Sequence, residues 1–285
     1  MDSNTKEIKI SLTFVRHGRS EGNQGGLMQV SRQTLSRFLS GYKSILLLTF
    51  SYSRLFLHFI LKGQSNTPLA EDGKKQAYLA GAALRHVRFD TIYSSDQDRA
   101  YDTAFLIAGQ QPRSPKGSLD PKCNMIETNK LLRERCYGVL ELRRHEEFCL
   151  AAEAAGFQGE NRYDFVPEGA ESKPDVRKRA AEFLEYVFKS VSKNDKSSEE
   201  THNILIVSHS GFLVQLAHHL FKDCDCRLPV SINHKTEDEL TIWRNKAVKN
   251  TAITTYEVKI NYDTKEILDS ECTRYGCVDH LSPEL

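Results

Sequence analysis

Short apolar runs alternate with stretches of helical periodicity along this chain. Apolar runs of strand length predict buried strands at residues 8–15, 89–93, 204–207 and 251–260, with a return strand through 267–268. Apolar positions at helical spacing predict helices at residues 73–87, 99–108, 174–191 and 212–221. Strands that alternate with helices are typical of an α/β fold, and here they predict a three-layer α/β/α sandwich around a mostly parallel central sheet.

One segment does not fit this alternation. Residues 45–61 form the most apolar stretch of the chain, but Arg54 and His58 interrupt it. It is shorter than the roughly 20 residues that a membrane-spanning helix needs, so we expect no stable membrane insertion. The stretch lies where the first strand should connect to its helix, and such connections are usually short. We therefore predict one domain over residues 1–285 with an atypical apolar insertion at residues 30–62.

Three interpretations of this insertion remain open. Removal of residues 30–62 joins Gln29 directly to Gly63 and restores a short loop, which fits a translated retained intron. The apolar side chains also fit an anchor at a membrane surface, or a helix that binds a partner protein. The sequence does not indicate which protein such a partner is.

The composition narrows the classes of function. The chain has 285 residues, 39% of them hydrophobic and 27% charged, so it can bury one sizeable core. Its 39 basic and 38 acidic residues leave no bulk positive charge, and we expect no nucleic-acid partner. The seven cysteines are odd in number and show no paired spacing, and the polar N-terminus lacks the apolar core of a signal peptide. We therefore expect a cytoplasmic protein with reduced thiols.

Two of the predicted strands end in a histidine. His17 follows the first strand, and His209 follows the strand at 204–207. Ligands bind beyond the carboxyl ends of the strands in open α/β sheets, so we expect both imidazoles to line one pocket. A lone histidine at such a position is more often an ordinary polar residue at a strand end. Arg16 and Arg99 favour the pocket, because arginine is a good bidentate partner of phosphate oxygens.

Four sequence blocks make a more specific pattern than the histidines alone. They are residues 16–23 (RHGRSEGN), 94–104 (SSDQDRAYDTA), 132–138 (LRERCYG) and 207–209 (VSH). In this order and spacing, the blocks resemble the signature of the histidine phosphatase superfamily, also called phosphoglycerate-mutase-like proteins. Residues 224–229, 250–251 and 279–281 are similar to its fructose-2,6-bisphosphatase members. The resemblance implies the phosphoglycerate-mutase-like version of the α/β/α fold.

The resemblance also implies roles for five residues. His17, in the first block, is expected as the nucleophile that accepts a phosphoryl group. Arg16, Arg99 and His209 are expected to hold that group and to stabilise the charge on its oxygens. Glu134 is expected as the general acid that protonates the leaving alkoxide and then activates water.

Further residues are expected to bind the substrate. Asn23 and the backbone N–H of Ser210 are expected to donate hydrogen bonds, and Gln29 and Gly63 to lie in the substrate loop. Tyr137 either lines the rim of the pocket or packs as an ordinary aromatic residue, and the sequence favours neither interpretation.

Some positions allow other interpretations. Glu134 is flanked by two arginines and has a surface ion pair with Arg133 or Arg135 as its alternative role. Three glycines that are usual in the superfamily are replaced here, which affects the shape of the pocket; the replacements are Ser210, Leu142 and Ala170.

The resemblance implies a phosphatase that needs no metal and no cofactor. Its expected substrate is a small phosphoester, with fructose 2,6-bisphosphate favoured, and its expected effect is a lower glycolytic flux. A phosphoglycerate or bisphosphoglycerate mutase and a broad phosphomonoesterase remain alternatives. A weakly active regulatory or binding protein on the same fold is an alternative from a different class.

Overall fold

A computed structural model describes residues 6–21, 60–111, 126–193, 200–228 and 248–282 of the chain. Within these residues the strands are β1 (Glu7–Arg16), β2 (Thr91–Ser94), β3 (Ile126–Thr128), β4 (Thr201–Ser208), β5 (Ile253–Asn261) and β6 (Ile267–Cys277). The α-helices are α1 (Glu71–Ala83), α2 (Asp98–Ala108), α3 (His145–Ala154), α4 (Lys173–Lys193) and α5 (Ser210–His218), and a π-helical turn at His219–Asp223 continues α5.

The strands form one six-stranded sheet in the order β3-β2-β4-β1-β5-β6. Strands β3, β2, β4 and β1 are parallel to one another, whereas β5 pairs antiparallel with β1 and β6. Strands β1 and β4 lie side by side in the middle of the sheet, with Arg16 opposite Ser208 at their carboxyl ends. The residues that follow both strands are therefore brought together at one edge of the sheet.

Helices cover both faces of the sheet. On one face, apolar residues of β1 such as Leu12 and Phe14 pack with Phe183 of α4 and Phe212 of α5. On the other face, Val15 and strand residues next to it pack with α1 and α2. Successive strand residues alternate between the two faces, so apolar runs such as 204–207 serve both cores at once. The layers are those of the predicted α/β/α sandwich, with a mostly parallel sheet.

Most predicted elements are confirmed, and the differences lie at the ends of elements and in two elements that the sequence pattern does not predict. The helix predicted over 73–87 ends at Ala83, where Leu84 leaves the helical conformation. The helix predicted over 212–221 begins two residues earlier, directly after His209. The return strand extends to Cys277 because β5 pairs with it along its whole length. Strand β3 and helix α3 were not predicted.

The end of the predicted insertion forms part of the fold. Residues 30–59 lie outside the described residues. Ile60 forms an antiparallel bridge with Arg144, and the Leu61 N–H donates to the Arg143 carbonyl at 2.9 Å. The side chain of Leu61 is buried. No helix among the described residues combines the length and apolar character needed to cross a bilayer.

Candidate active site

The two histidines at the strand ends lie in contact. The His17 N–H donates to the Ser208 carbonyl at 2.9 Å, which extends the pairing of β1 and β4 by one residue. The ring centroids of His17 and His209 are 5.0 Å apart, with 56° between the ring planes. The expectation that the two imidazoles meet at one site is therefore confirmed, although 191 residues separate them in the sequence.

The His17 ring is fixed in one tautomer. Its Nδ1 lies 2.7 Å from the Gly18 carbonyl oxygen. A carbonyl only accepts hydrogen bonds, so in the neutral ring Nδ1 carries the proton and Nε2 keeps a free lone pair. Burial lowers the pKa of His17 well below its usual range, and the positive charges of Arg16 and Arg99 lower it further. The ring is neutral near pH 7 and can act as a nucleophile.

The His209 ring is completely buried and has no polar partner among the described residues. Neither its Nδ1 nor its Nε2 forms a hydrogen bond there. Burial lowers the pKa of His209 well below its usual range, and Arg99, the His17 ring and Arg16 add to the effect. Buried polar atoms normally have a hydrogen-bond partner. Two free ring nitrogens in a site that contains arginines therefore favour an anionic or hydrogen-bonding ligand.

Arg16 and Arg99 bring two guanidinium groups to the same site. Arg16 is the last residue of β1, and its Nη1 donates to the Val248 carbonyl at 2.5 Å. Arg99, in the first turn of α2, donates to the Ser65 carbonyl at 2.9 Å and to the Gly63 carbonyl at 3.0 Å. Burial lowers the pKa of Arg99 to about 10, and the pKa of Arg16 is lowered for the same reason. Both groups remain charged at neutral pH and have Nε atoms without a partner among the described residues.

Glu134 is held at the site by backbone N–H groups. Its Oε1 accepts from the Arg135 N–H at 2.8 Å, and its Oε2 accepts from the Gly211 N–H at 3.1 Å. The alternative of a surface ion pair is wrong. Arg133 instead pairs with Asp96 at 2.5 Å, and the Arg135 guanidinium donates to backbone carbonyls, including that of Glu171.

A comparison with known protein families shows the family of this chain. The sequence profile of the histidine phosphatase superfamily, branch 1, matches residues 57–242, more than half of the chain. The chain belongs to the histidine phosphatase superfamily. It is also 30% identical over 250 residues to the fructose-2,6-bisphosphatase TIGAR B of Danio rerio, with 79% of this chain and 80% of that protein covered.

Solved structures of this superfamily share the fold. A phosphoglycerate mutase from Bacillus anthracis has a TM-score of 0.61 at 18% identity, with 97% of each chain covered. A mycobacterial glucosyl-3-phosphoglycerate phosphatase has a TM-score of 0.61 at 20% identity, with 94% of this chain and 99% of that chain covered. The phosphoglycerate-mutase-like α/β/α fold is confirmed. The family and the TIGAR relative identify the chain as a phosphatase.

Two of the residues expected to bind the substrate of this histidine phosphatase lie at the cleft. Gly63 and Tyr137 line the same cleft as His17, Arg99 and Glu134. Tyr137 combines both of its proposed roles, since its ring also packs edge-on against Phe148 at a centroid distance of 6.1 Å.

The other two substrate-binding candidates, Asn23 and Gln29, lie outside the described residues.

Two departures from the superfamily pattern have local consequences. The Ser210 hydroxyl accepts the Val248 N–H at 3.0 Å, so the additional side chain braces the backbone that also contacts Arg16. Leu142 has a φ of 62°, a left-handed conformation that favours glycine. Leucine at this position therefore retains the turn at the expense of local strain.

Helix α4 contributes a residue that sequence reasoning missed. The Arg179 guanidinium contacts both carboxylate oxygens of Glu171 at 2.9 Å and donates to the Arg133 carbonyl at 2.9 Å. It also donates to the Leu131 carbonyl at 2.5 Å. These bonds tie α4 to the loop that carries Glu134. The sequence showed only the apolar stripe of this helix, and no local signal marks the polar contact.

Proposed function

We propose that this protein removes phosphate from a sugar bisphosphate, with fructose 2,6-bisphosphate as the favoured substrate, through a phosphohistidine on His17. One observation carries the proposal: a neutral imidazole with a free Nε2 stands beside the His209 ring and two buried arginines. A neutral nucleophile surrounded by fixed positive charge suits attack on an anionic phosphoryl group.

In the first step, His17 Nε2 forms a bond to phosphorus while the ester P–O bond breaks. Arg16, Arg99 and His209 hold the equatorial oxygens of the transferring group, whose charge they stabilise. Glu134 gives a proton to the leaving sugar oxygen, which is otherwise a poor leaving group. The dephosphorylated sugar then leaves the site.

In the second step, the Glu134 carboxylate takes a proton from a water molecule. The water oxygen forms a bond to phosphorus, the N–P bond breaks, and inorganic phosphate leaves with His17 neutral again. Both steps use only side chains and water, so the proposed reaction requires no metal and no cofactor. The two backbone N–H groups that hold Glu134 keep its carboxylate in one place through both steps.

The choice of substrate rests on the sequence similarity to TIGAR B, whose name describes a fructose-2,6-bisphosphatase. Hydrolysis of this substrate in the cytoplasm would lower glycolytic flux. The chain's similarity to a glucosyl-3-phosphoglycerate phosphatase fold supports the inclusion of glycerate phosphates among the substrates to be tested.

The proposal predicts that His17→Ala abolishes phosphate release from fructose 2,6-bisphosphate, with a loss of at least about 10³-fold in kcat, because no other group takes the phosphoryl. Acid-sensitive phosphate on His17, found by mass spectrometry after rapid quenching of the wild type, is the direct measurement. His86→Ala, which changes an exposed histidine, is the matched control and should keep wild-type kinetics.

Three outcomes would contradict the proposal. Equal rates for the wild type and His17→Ala would favour the regulatory or binding protein. Return of the phosphoryl group to a second glycerate, with no inorganic phosphate formed, would favour a mutase. Equal kcat/KM across unrelated phosphoesters would favour a broad phosphomonoesterase.

A further inference from the structure

Lys62 enters the cleft from the far end of the predicted insertion. The bridge from Ile60 to Arg144 holds the chain just before it, and its side chain lines the cleft with Arg16, Arg99 and Glu134. Only 8% of the residue is exposed. A lysine ammonium is rarely buried unless a partner compensates its charge.

The ammonium has one close protein partner. Its Nζ donates to the Ser20 hydroxyl oxygen at 2.6 Å and lies 3.5 Å from the Ser20 carbonyl oxygen. Across the described ranges, Lys62 forms no ion pair with a carboxylate. An ammonium carries three N–H donors, so at least one remains available to a ligand in the cleft.

The charges that surround Lys62 are mainly positive. Burial, with added repulsion from Arg99, Arg16 and Arg19, lowers the pKa of Lys62 to about 8. A buried cation among three other cations is unfavourable in the empty protein, and an anion in the cleft would relieve that cost. The arrangement therefore favours an anionic ligand beside Lys62.

Lys62 acts less strongly on the nucleophile than the two arginines do. After burial, Arg16 and Arg99 make the largest charge contributions to the lowered pKa of His17, whereas Lys62 makes a smaller one. Charge interactions weaken with distance, and Lys62 is anchored to Ser20 rather than to the histidine pair. We therefore expect a group bound by Lys62 to be a different part of the substrate from the phosphoryl group at His17.

We propose that Lys62 binds a second anionic group of the substrate, a phosphate or a carboxylate, and that the cleft thereby selects phosphoesters with two anionic groups. This inference rests on the proposed function and adds to it a residue that decides specificity. The contacts come from a segment that the sequence separates from Ser20 by 42 residues, so no local motif indicates them.

The charge state of Lys62 gives the proposal a pH signature. The charged and titratable groups around it are Arg16 at the end of β1, His17 and Arg19 in the residues that follow, Arg99 of α2, and Glu134 and Tyr137 of the opposite loop. Arg16 and Arg99 keep their charge to pH 9, and burial raises the pKa of Tyr137. Lys62 loses its charge as the pH rises through about 8, so the wild-type KM for a bisphosphate should rise between pH 7 and 9.

The test compares fructose 2,6-bisphosphate and 2,3-bisphosphoglycerate with p-nitrophenyl phosphate, which has no second anionic group. For Lys62→Gln we expect KM to rise about tenfold for both bisphosphates, with kcat and the p-nitrophenyl phosphate kinetics within about twofold of wild type. Lys62→Arg keeps the charge and should remove the rise of KM between pH 7 and 9. Lys189→Gln, an exposed lysine that pairs with Glu185, is the matched control.

A binding measurement separates this inference from the proposed function. Calorimetric titration of 2,3-bisphosphoglycerate into the wild type and Lys62→Gln should show about tenfold weaker binding by the variant, whether or not the wild type turns over. Equal binding by the two proteins, or an equal rise of KM for bisphosphates and p-nitrophenyl phosphate, would overturn the assignment of Lys62. An active His17→Ala variant would instead overturn the proposed function.

Discussion

Gly211 allows the Glu134 carboxylate to approach the first turn of α5. A Cβ atom at this position would lie 2.3 Å from Glu134 Oε1, closer than any real contact. The atom it meets is the end of a flexible side chain and not backbone, so the fold can adapt by moving Glu134. Space at Gly211 is therefore a requirement of the site more than of the fold.

We predict that Gly211→Ala lowers kcat for a sugar phosphate by about 10- to 100-fold, because it displaces the proposed general acid. The effect should be smaller for p-nitrophenyl phosphate, whose leaving group needs no proton. Thermal unfolding should change little. Steady-state kinetics with both substrates measure the difference.

Gly109→Ala is the matched control, since a Cβ there meets its nearest neighbour at 3.6 Å. It should leave the kinetics with both substrates unchanged. An equal loss on both substrates in Gly211→Ala would mean that the substitution damages the whole pocket.

At the residue scale, the sequence predicts those site residues that directly follow a strand and lie in one of the four signature blocks. His17 and His209 are such groups, and the parallel pairing of β1 and β4 is enough to bring them together. Lys62 and Arg179 were missed because their contacts join segments 42 to 48 residues apart. Only the folded chain brings those partners together.

Helix α4 acts on the site through a single guanidinium. Arg179 holds Glu171 with two hydrogen bonds and binds the carbonyls of the loop that precedes Glu134. Arg179 is thus a positioning residue, because it touches the loop and not the cleft. Lysine keeps the charge at this position but has no planar fork for the bidentate contact.

We predict that Arg179→Lys lowers kcat for a sugar phosphate about tenfold or more and changes KM little, because a small misplacement of a catalytic group is costly. The pH profile of kcat should shift, and p-nitrophenyl phosphate hydrolysis should be less affected. Arg177→Lys tests the same substitution on the same helix, where the arginine contacts Gln215 at 3.4 Å. A parallel fall in kcat and stability, with an unchanged pH profile, would mean a structural role only.

At the element scale, the local pattern of apolar residues is sufficient to predict long elements that have an apolar stripe. Helix α4 has eight buried residues and was predicted almost to its bounds. Helix α3 buries only Phe148 and Ala152, so its sequence carries little periodicity. Strand β3 has three residues and is defined by its pairing with β2, which a local pattern does not contain.

At the scale of the whole molecule, the net charge gives no indication of the positively charged site. The chain has a formal charge of +1, yet one cleft contains Arg16, Lys62 and Arg99 together. Composition therefore predicts no nucleic-acid partner, but it does not indicate where an anion binds. That information lies in the order of the strands, which places charges from distant segments around one pair of histidines.

The same pair of histidines should make the stability of the whole molecule depend on pH. Burial and the nearby arginines hold the pKa of His17 and of His209 well below the usual value, whereas in the unfolded chain both should titrate near 6.5. Below pH 6.5 the unfolded chain therefore binds more protons than the folded one, and acid favours unfolding. Above about pH 7 both states carry neutral rings, and these two residues contribute no pH dependence.

We predict that the free energy of unfolding falls with decreasing pH below 6.5, with a contribution that approaches about 1.4 kcal/mol per pH unit from each of the two histidines. Urea unfolding between pH 5 and 7.5 measures the slope. His17→Gln and His209→Gln should each remove one such contribution to the slope, whatever their effect on stability at pH 7.5. His86→Gln, at an exposed position, is the control and should keep the wild-type slope. If the two buried variants kept it as well, the imidazoles would bind protons equally in the folded and unfolded chains, and the lowered pKa of the histidine pair would be wrong.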